Sequence, residues 1–378
     1  MNGQNIPPFL EPRLRLFLSA DVVGSTALKQ RPAALQDSTT ISGKGPVWFS
    51  AIQGFYLEFS QSFVSDWRCR KKECQEVERD YLYGPEPTFW KSAGDEILFT
   101  KILTDHRQLT TTLHSWIECV GKVREFLKKQ SGALDVKSTA WIAGFPFWNK
   151  EVAIRRFFDA DDQKIEDYFH EGGRLLNEYY TNQHASTAFV DYVGPHIDTG
   201  FRLTNLSSSR KMVVSVDVAY LLSMTTFDGE VSRIELYFDD PCSLKGVMGG
   251  APYPIFWINM SGENSLDAKE DKLRHQQSSS NENIKEYCNA FYGEFRDYTF
   301  RPFIRGDIGQ TLSKEPGEYR TFHENLVKNF AATDQLDALV KISGGESESF
   351  SVQVDDNVSK EEIEEVINFI KNTNEEQS

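Results

Sequence analysis

Residues 13–28, RLRLFLSADVVGSTAL, read together with residues 89–99, FWKSAGDEILF, leave few folds open. In the first stretch Leu14, Leu16 and Leu18 alternate with Arg13, Arg15 and Phe17, the period of a strand with one buried face. The strand runs into Asp21, and Gly24-Ser25-Thr26 predicts a tight turn into a helix start. The second stretch predicts a hairpin whose tip, Ala93-Gly94-Asp95, lifts one carboxylate out of the sheet. Two strands would then present Asp21 and Asp95 at one end of a sheet, beside a helix N-terminus with free N–H groups. Such an end can hold divalent metals and a polyphosphate.

The rest of the chain narrows the class. A length of 378 residues allows one large domain and a smaller one, and 39% apolar residues with 13% aromatics supply a core. No apolar run reaches membrane-spanning length, and the first residues lack a signal peptide's apolar segment, so a cytoplasmic protein is expected. Five scattered cysteines make no paired framework or metal-ligand spacing. A net charge of −15 argues against a nucleic-acid binder, though not against a nucleotide bridged to carboxylates by metal ions. The seven histidines show no i, i+4 pairing, and a histidine-rich metal site is not expected.

Residues 1–12 read as a flexible tail, 13–264 as the main domain, and 265–378 as a connector helix and a small α+β module. Residues 30–47 are polar and punctuated, hence a loop. From Trp48 to Trp67 aromatics recur at helical spacing. The plainer account is a buried helix face; the sharper one has Trp48 or Phe49 walling a base pocket. Residues 104–131 predict a second amphipathic helix and 137–147 a strand. Region 149–183 is an excursion whose acidic run Asp159, Asp161 and Asp162 reads as solvated surface. Residues 266–289 are polar and read as a domain boundary or flexible helical connector. Near the C-terminus, Val340 and Ile342 with Phe350, Val352 and Val354 suggest a hairpin around Gly344-Gly345. A capping box at residues 359–362 precedes a helix.

Attack on a nucleotide α-phosphate needs two carboxylates on rigid backbone to clamp two cations. One cation lowers the pKa of the attacking hydroxyl, and the other neutralises the leaving pyrophosphate. Asp21 and Asp95 suit that role, with the Val22 carbonyl as a further oxygen ligand. The turn through Gly24, Ser25 and Thr26 would cradle phosphates.

FLSADVVGST resembles the first metal motif of class III nucleotidyl cyclases, and KSAGDEILF resembles their second, Lys-x-x-Gly-Asp. The combination with the aromatic stretch and DTGFRL is similar to the bacterial Pycsar cyclases, over about residues 13–260. The resemblance implies an α+β fold, a ferredoxin-like palm with insertions that dimerises so that each active site draws on both chains. It implies two Mn²⁺ or Mg²⁺ ions per site on Asp21, Val22 and Asp95, and a base-reading role for Lys91. It further implies conversion of UTP to 3′,5′-cyclic UMP, or of CTP to cyclic CMP, as an anti-phage second messenger read by a separate effector. The late motif departs from the purine cyclases' Asp, Gly, and Asn and Arg four apart. Here Asp198-Thr-Gly200-Phe-Arg202 stands there, with Asn205 and Arg210 beyond. Asp198 is expected to read the base or fix its neighbours. Arg202 is the choice for stabilising transition-state charge, because a guanidinium can bind two phosphate oxygens; Arg210 is the reserve. Three other readings stay open: a diguanylate-type cyclase, a catalytically silent nucleotide-binding module, and a plain α+β interaction protein.

Overall fold

The computed structural model describes residues 6–30, 46–76, 78–155, 168–182, 188–225, 233–261, 265–274, 276–307 and 311–344. The chain divides into one compact unit, Met1–Phe330, and a second, Ala331–Ser378.

The fold is α+β. A seven-stranded sheet runs in the order β2-β3-β1-β4-β7-β9-β8, where β1 is Arg13–Val23, β2 Thr88–Ala93, β3 Glu96–Leu103, β4 Asp135–Phe145, β7 Lys211–Val214, β8 Tyr237–Ser243 and β9 Pro252–Asn259. β1 lies antiparallel between β3 and β4, and among the described residues only the β4–β7 pair is parallel. The helices α2 (Val47–Gln75) and α3 (Gln108–Gln130) connect β1 to β2 and β3 to β4. Each connection skips one intervening strand, so two split βαβ units interlock around β1, the ferredoxin-like arrangement.

Helices α2 and α3 cover one face of the sheet. Phe55, Phe59 and Phe63 recur every fourth residue along α2 and meet Leu109, Leu113, Trp116 and Val120 of α3 with Leu16, Leu18 and Ala20 of β1. Each buried ring contributes about 1.5–3 kcal/mol of transfer free energy, which holds a 29-residue helix to the sheet. The second face carries a smaller cluster: Phe17, Leu98, Trp141, Ala143, Phe145, Tyr192 and Ile197. The ribbon of β5 (Lys150–Arg155) and β6 (Ala188–Val193) lies on this side, with α4 (Tyr168–Thr181) and α5 (Pro195–Leu203).

Three expectations change. β1 is buried on both faces, because the Arg15 guanidinium finds Glu151 at 3.0 Å and the Tyr180 hydroxyl at 2.7 Å. The polar stretch after residue 264 is helical as expected, but part of it packs into the core instead of forming a flexible connector. It forms α7 (Leu266–Leu273) and α8 (Asn281–Glu294), whose N-caps Ser265 and Ser280 accept from backbone N–H groups three residues on. Ile284, Cys288, Phe291 and Tyr292 of α8 join the main core beside α6 (Val216–Met224), so the compact unit runs past the expected 264/265 boundary. Finally, Val340 and Ile342 end the helix α9 (Gly317–Gly344) rather than starting a hairpin, since two alternating residues are too few to compete with helix propagation. The acidic run at 159–162, most of the 30–47 loop, and everything predicted after residue 344 lie outside the described residues.

Candidate functional site

The acidic end of the sheet is built by register. Asp21 stands opposite Glu96 on β3 and Lys137 on β4, and all three side chains leave the face that also carries Phe17, Leu98 and Trp141. Gly94 takes φ +69° in the two-residue loop between β2 and β3, where a hairpin turn calls for glycine. The Val22 N–H donates to the Asp95 carbonyl at 3.2 Å, which ties the hairpin tip to the end of β1. An extended residue sends its N–H and C=O to the same edge, so the Val22 carbonyl turns toward the hairpin as well.

Counter-charges meet these carboxylates. Lys137 Nζ lies 3.0 Å from Asp21, and Lys29 Nζ of α1 (Ser25–Lys29) lies 3.6 Å from Asp95. Ser25 donates its hydroxyl to Asp95, and Ser19 donates to Glu96 at 2.5 Å. Burial raises the Asp21 carboxyl above its ordinary pKa, Lys137 pulls it down, and the Asp95 charge pushes it up. Glu96 is raised likewise by burial and by its two acidic neighbours, with Ser19 and Lys137 opposing. Three hard oxygen donors that strain one another in this way suit a divalent cation of the Mg²⁺ or Mn²⁺ type. Gly24 must be glycine. Its φ is +85°, and a Cβ there would stand 2.6 Å from the Ala133 carbonyl oxygen. Thr26 is exposed at the start of α1, while Ser25 is buried and engaged by Asp95.

A second group sits on the same face one row further along β3. A bulge between Phe89 and Lys91 sends both Trp90 and Lys91 to this side. Lys91 Nζ contacts both oxygens of Asp191 on β6, at 2.9 and 3.2 Å, and the Trp90 indole N–H donates to the same carboxylate at 3.0 Å. The Lys91 ammonium also lies 4.2 Å from the Trp90 ring centroid and 5.8 Å from that of Phe201 on α5.

Helix α5 follows Gly194, whose φ is +138°, and carries Pro195 in its first turn. It presses on the sheet through Gly200, where a Cβ would meet the Trp141 ring at 2.3 Å. Asp198 and Arg202 lie one turn apart on the exposed side of α5. Arg202 carries no ion pair among the described residues, whereas Arg210 is taken up by Asp267, Glu270 and Asp271. Asp198 borders a cleft with Ser215, Gly249 and Asp297. Trp48 stands in the first turn of α2, edge-on to Phe49 and against the core of the opposite face. The aromatic beside Lys91 is Trp90.

Asp191, Glu96 and Lys137 were not singled out by sequence. Asp191 and Gly194 stand ahead of the i, i+4 pair Asp198 and Arg202, so an Asp-x-x-Gly step followed by an acid and an arginine four apart was the available signal.

One further cluster has metal-ligand chemistry: the buried Asp105, His106 and Asp307, with donor atoms within 4.8 Å of one another. These donors already have partners. Asp105 holds Arg107 through Nε at 2.9 Å and Nη2 at 2.7 Å. Asp307 accepts from the His106 ring and backbone at 3.2 Å and from Leu312 N–H at 3.1 Å. The cluster lies beyond the far end of β3, about 25 Å of strand away from Asp95, and reads as a structural clasp.

No protein-family model matches the chain, and no curated protein matches it. Among solved structures, the adenylyl cyclase CyaB from P. aeruginosa is 13% identical with a TM-score of 0.40, over 68% of this chain and 98% of that one. The guanylate cyclase domain of RhGC from Catenaria anguillulae, in complex with GTP, is 10% identical with a TM-score of 0.39, over 66% and 97%. The guanylyl cyclase Cya2 is 11% identical with a TM-score of 0.37, over 68% and 96%. At such identity and overlap the likeness decides nothing about this chain's chemistry.

Proposed function

We propose that this chain is a metal-dependent nucleotidyl cyclase that converts UTP to 3′,5′-cyclic UMP and pyrophosphate as a homodimer. The observation that carries the reading is the convergence of Asp21, Asp95 and Glu96, from two adjoining strands and their hairpin, at one end of the sheet. Two bound Mn²⁺ or Mg²⁺ ions would supply the charge that lowers the pKa of the 3′-hydroxyl and neutralises the triphosphate. Asp21, Asp95 and the Val22 carbonyl would hold them, with Glu96 as an adjoining acid.

In the reaction the 3′-oxygen forms a bond to the α-phosphorus, the bond to the β-phosphate oxygen breaks, and the hydroxyl proton passes to water. Lys137 and Lys29 stand beside the acidic end, where they can turn from aspartate to phosphate oxygens once cations take the carboxylates. The backbone through Gly24, Ser25 and Thr26 lines the same end. Lys91 and Asp191 offer a donor and an acceptor side by side, which matches O4 and N3–H of uracil. Trp90 pins Asp191 and, with Tyr192 and Phe201, fills the space that a larger base would need. Asp198 fixes this group or the ribose, and Arg202, without an ion pair among the described residues, extends its guanidinium toward transition-state charge.

Neither Asp21 nor Asp95 makes a hydrogen bond or ion pair with Lys91, Asp191 or Arg202 among the described residues. In the proposed homodimer the acidic end of one copy meets the Lys91 group of its partner. Among the described residues no helix is long and apolar enough to cross a membrane, and all five cysteines are free. Both accord with action in the bacterial cytosol. There the product would serve as an anti-phage messenger for a separate cyclic-nucleotide-binding effector.

The test is incubation with each of the four ribonucleoside triphosphates and Mn²⁺, with products identified by mass. Cyclic UMP from UTP is expected. Cyclic CMP as the main product would move the assignment to cytidylate. A cyclic dinucleotide, or no turnover of any triphosphate, would overturn it.

A further inference from the structure

Away from the acidic end, a cleft of about 630 Å³ opens between α6, α8 and the irregular segment that leads into α9. That volume lies in the range of roughly 300–1,000 Å³ that small organic ligands occupy. Its walls are the rings of Tyr220, Tyr292 and Phe300. Its charges are Arg296, Arg301, Lys314 and Glu315. Glu315 is neutralised from outside, by Arg305 at 2.7 Å and Arg320 at 3.7 Å. Arg296, Arg301 and Lys314 have no carboxylate partner among the described residues, in a chain whose net charge is −15. Pro316 and Gly317, at the N-terminal end of α9, complete the rim, where the first-turn N–H groups from Gly317 onward have no intrahelical acceptor.

An independent observation points the same way. Tyr220 is 6% exposed and lines this cleft, yet its hydroxyl makes no hydrogen bond among the described residues. That hydroxyl is not sealed in the core: it opens on the cleft and is free to donate to an occupant. Its neighbour Tyr292 spends its own hydroxyl on Asp217 at 2.7 Å. The Arg301 guanidinium is close enough to oppose the rise that burial imposes on the Tyr220 phenol.

We infer that this cleft is a second ligand site, which takes a phosphate ester carried on a flat ring, a nucleoside monophosphate in chemical class. The phosphate sits among Arg296, Arg301, Lys314 and the first turn of α9. The Tyr220 hydroxyl donates to it, and the ring lies along Tyr292 and Phe300. The site is separate from the acidic end and stands whether or not the chain is a cyclase.

Calorimetric titration of the full chain with 5′-UMP in EDTA tests it, because chelation removes the cations that phosphate binding at Asp21 and Asp95 would need. Saturable one-to-one binding is expected, weaker at high salt. It should fall about tenfold or more in Arg301→Glu and severalfold in Tyr220→Phe. Lys91→Ala should leave it unchanged. Arg301 and Lys314 are both exposed, so Lys314→Glu serves as a second charge reversal should Arg301→Glu fail to fold. No saturable binding, or binding lost with Lys91→Ala and kept in the charge reversals, would overturn the inference.

Discussion

Asp21 and Asp95 differ in how each is restrained, and the difference sets what their removal does. Asp21 is held by one lysine, and Asp95 by Ser25, Lys29 and, through its backbone, Val22. Asp21→Asn or Asp95→Asn therefore keeps the strand and the hairpin while removing a cation ligand. Loss of several kcal/mol of charge stabilisation, at about 1.4 kcal/mol per tenfold, predicts turnover down by roughly a thousandfold or more. Electron paramagnetic titration with Mn²⁺ should show weakened metal binding at an unchanged melting temperature. Tight Mn²⁺ binding in both variants would remove the two-cation assignment. Asp191→Ala frees Lys91 and the Trp90 indole together. Its KM for UTP should rise about tenfold, a half-exposed charged pair being worth little more than 1–2 kcal/mol, and the preference for UTP over GTP should narrow. An unchanged preference would place base reading elsewhere. Asp21 and Asp95 were legible because a two-residue period ending in Asp and a Gly-Asp turn are local signals. Asp191 has a local signal in its Asp-x-x-Gly step, but its pairing with Lys91 was not legible, since the two lie 100 residues apart on different sheets and meet only where the β5–β6 ribbon packs on the main one.

At the scale of elements, α5 is the piece whose seat matters most. Gly200 lets it approach Trp141, and its outer side carries Asp198 and Arg202. Gly200→Ala would drive a methyl group into the indole and lift the helix. We expect a stability loss of about 1–3 kcal/mol and a lower kcat from the same change, read by thermal melting and by turnover. Arg202→Ala should separate these effects: stability unchanged, kcat lower by about 10²–10³-fold, and KM little altered. A loss confined to KM would make Arg202 a binding group. The clasp of Asp105, His106 and Asp307 ties the end of β3 to the segment before α9. Burial pushes the Asp307 carboxyl up, but the His106 ring, the Leu312 N–H and the His106 backbone bring it below its ordinary pKa. A depressed carboxyl contributes stability above its unfolded pKa, near 3.9, and loses it as pH falls through the folded value. Asp307→Asn should therefore melt well below the native chain at neutral pH, with the gap closing below about pH 4. A gap that stays constant with pH would mean that the charge is not what the clasp uses. Periodicity found α2, α3, β1 and β4, because their apolar stripes are long. It gave a helical connector after residue 264 but not the packing of α8, since a helix that buries only a few residues looks polar until α6 supplies the surface it covers.

For the whole molecule, the question is whether one chain can complete a site. Asp21 and Lys91 leave the same face of one sheet, but they lie on different cross-strand rows and on strands separated by β3, with separate ion-pair networks. A two-fold copy that inverts one sheet against the other would bring the acidic end of each chain to the Lys91, Asp191 and Arg202 group of its partner, twice over. That geometry predicts complementation. Asp21→Ala and Arg202→Ala should each be inactive alone, yet a co-refolded equal mixture should regain turnover, because every mixed dimer keeps one site with both halves native. With random pairing, half of the dimers are mixed and each has one working site of two, so about a quarter of native specific activity should return. Sedimentation should report dimers in all three samples. A mixture as inactive as its parents, from chains that demonstrably exchange, would mean that each chain closes its own site and that Arg202 does not reach across.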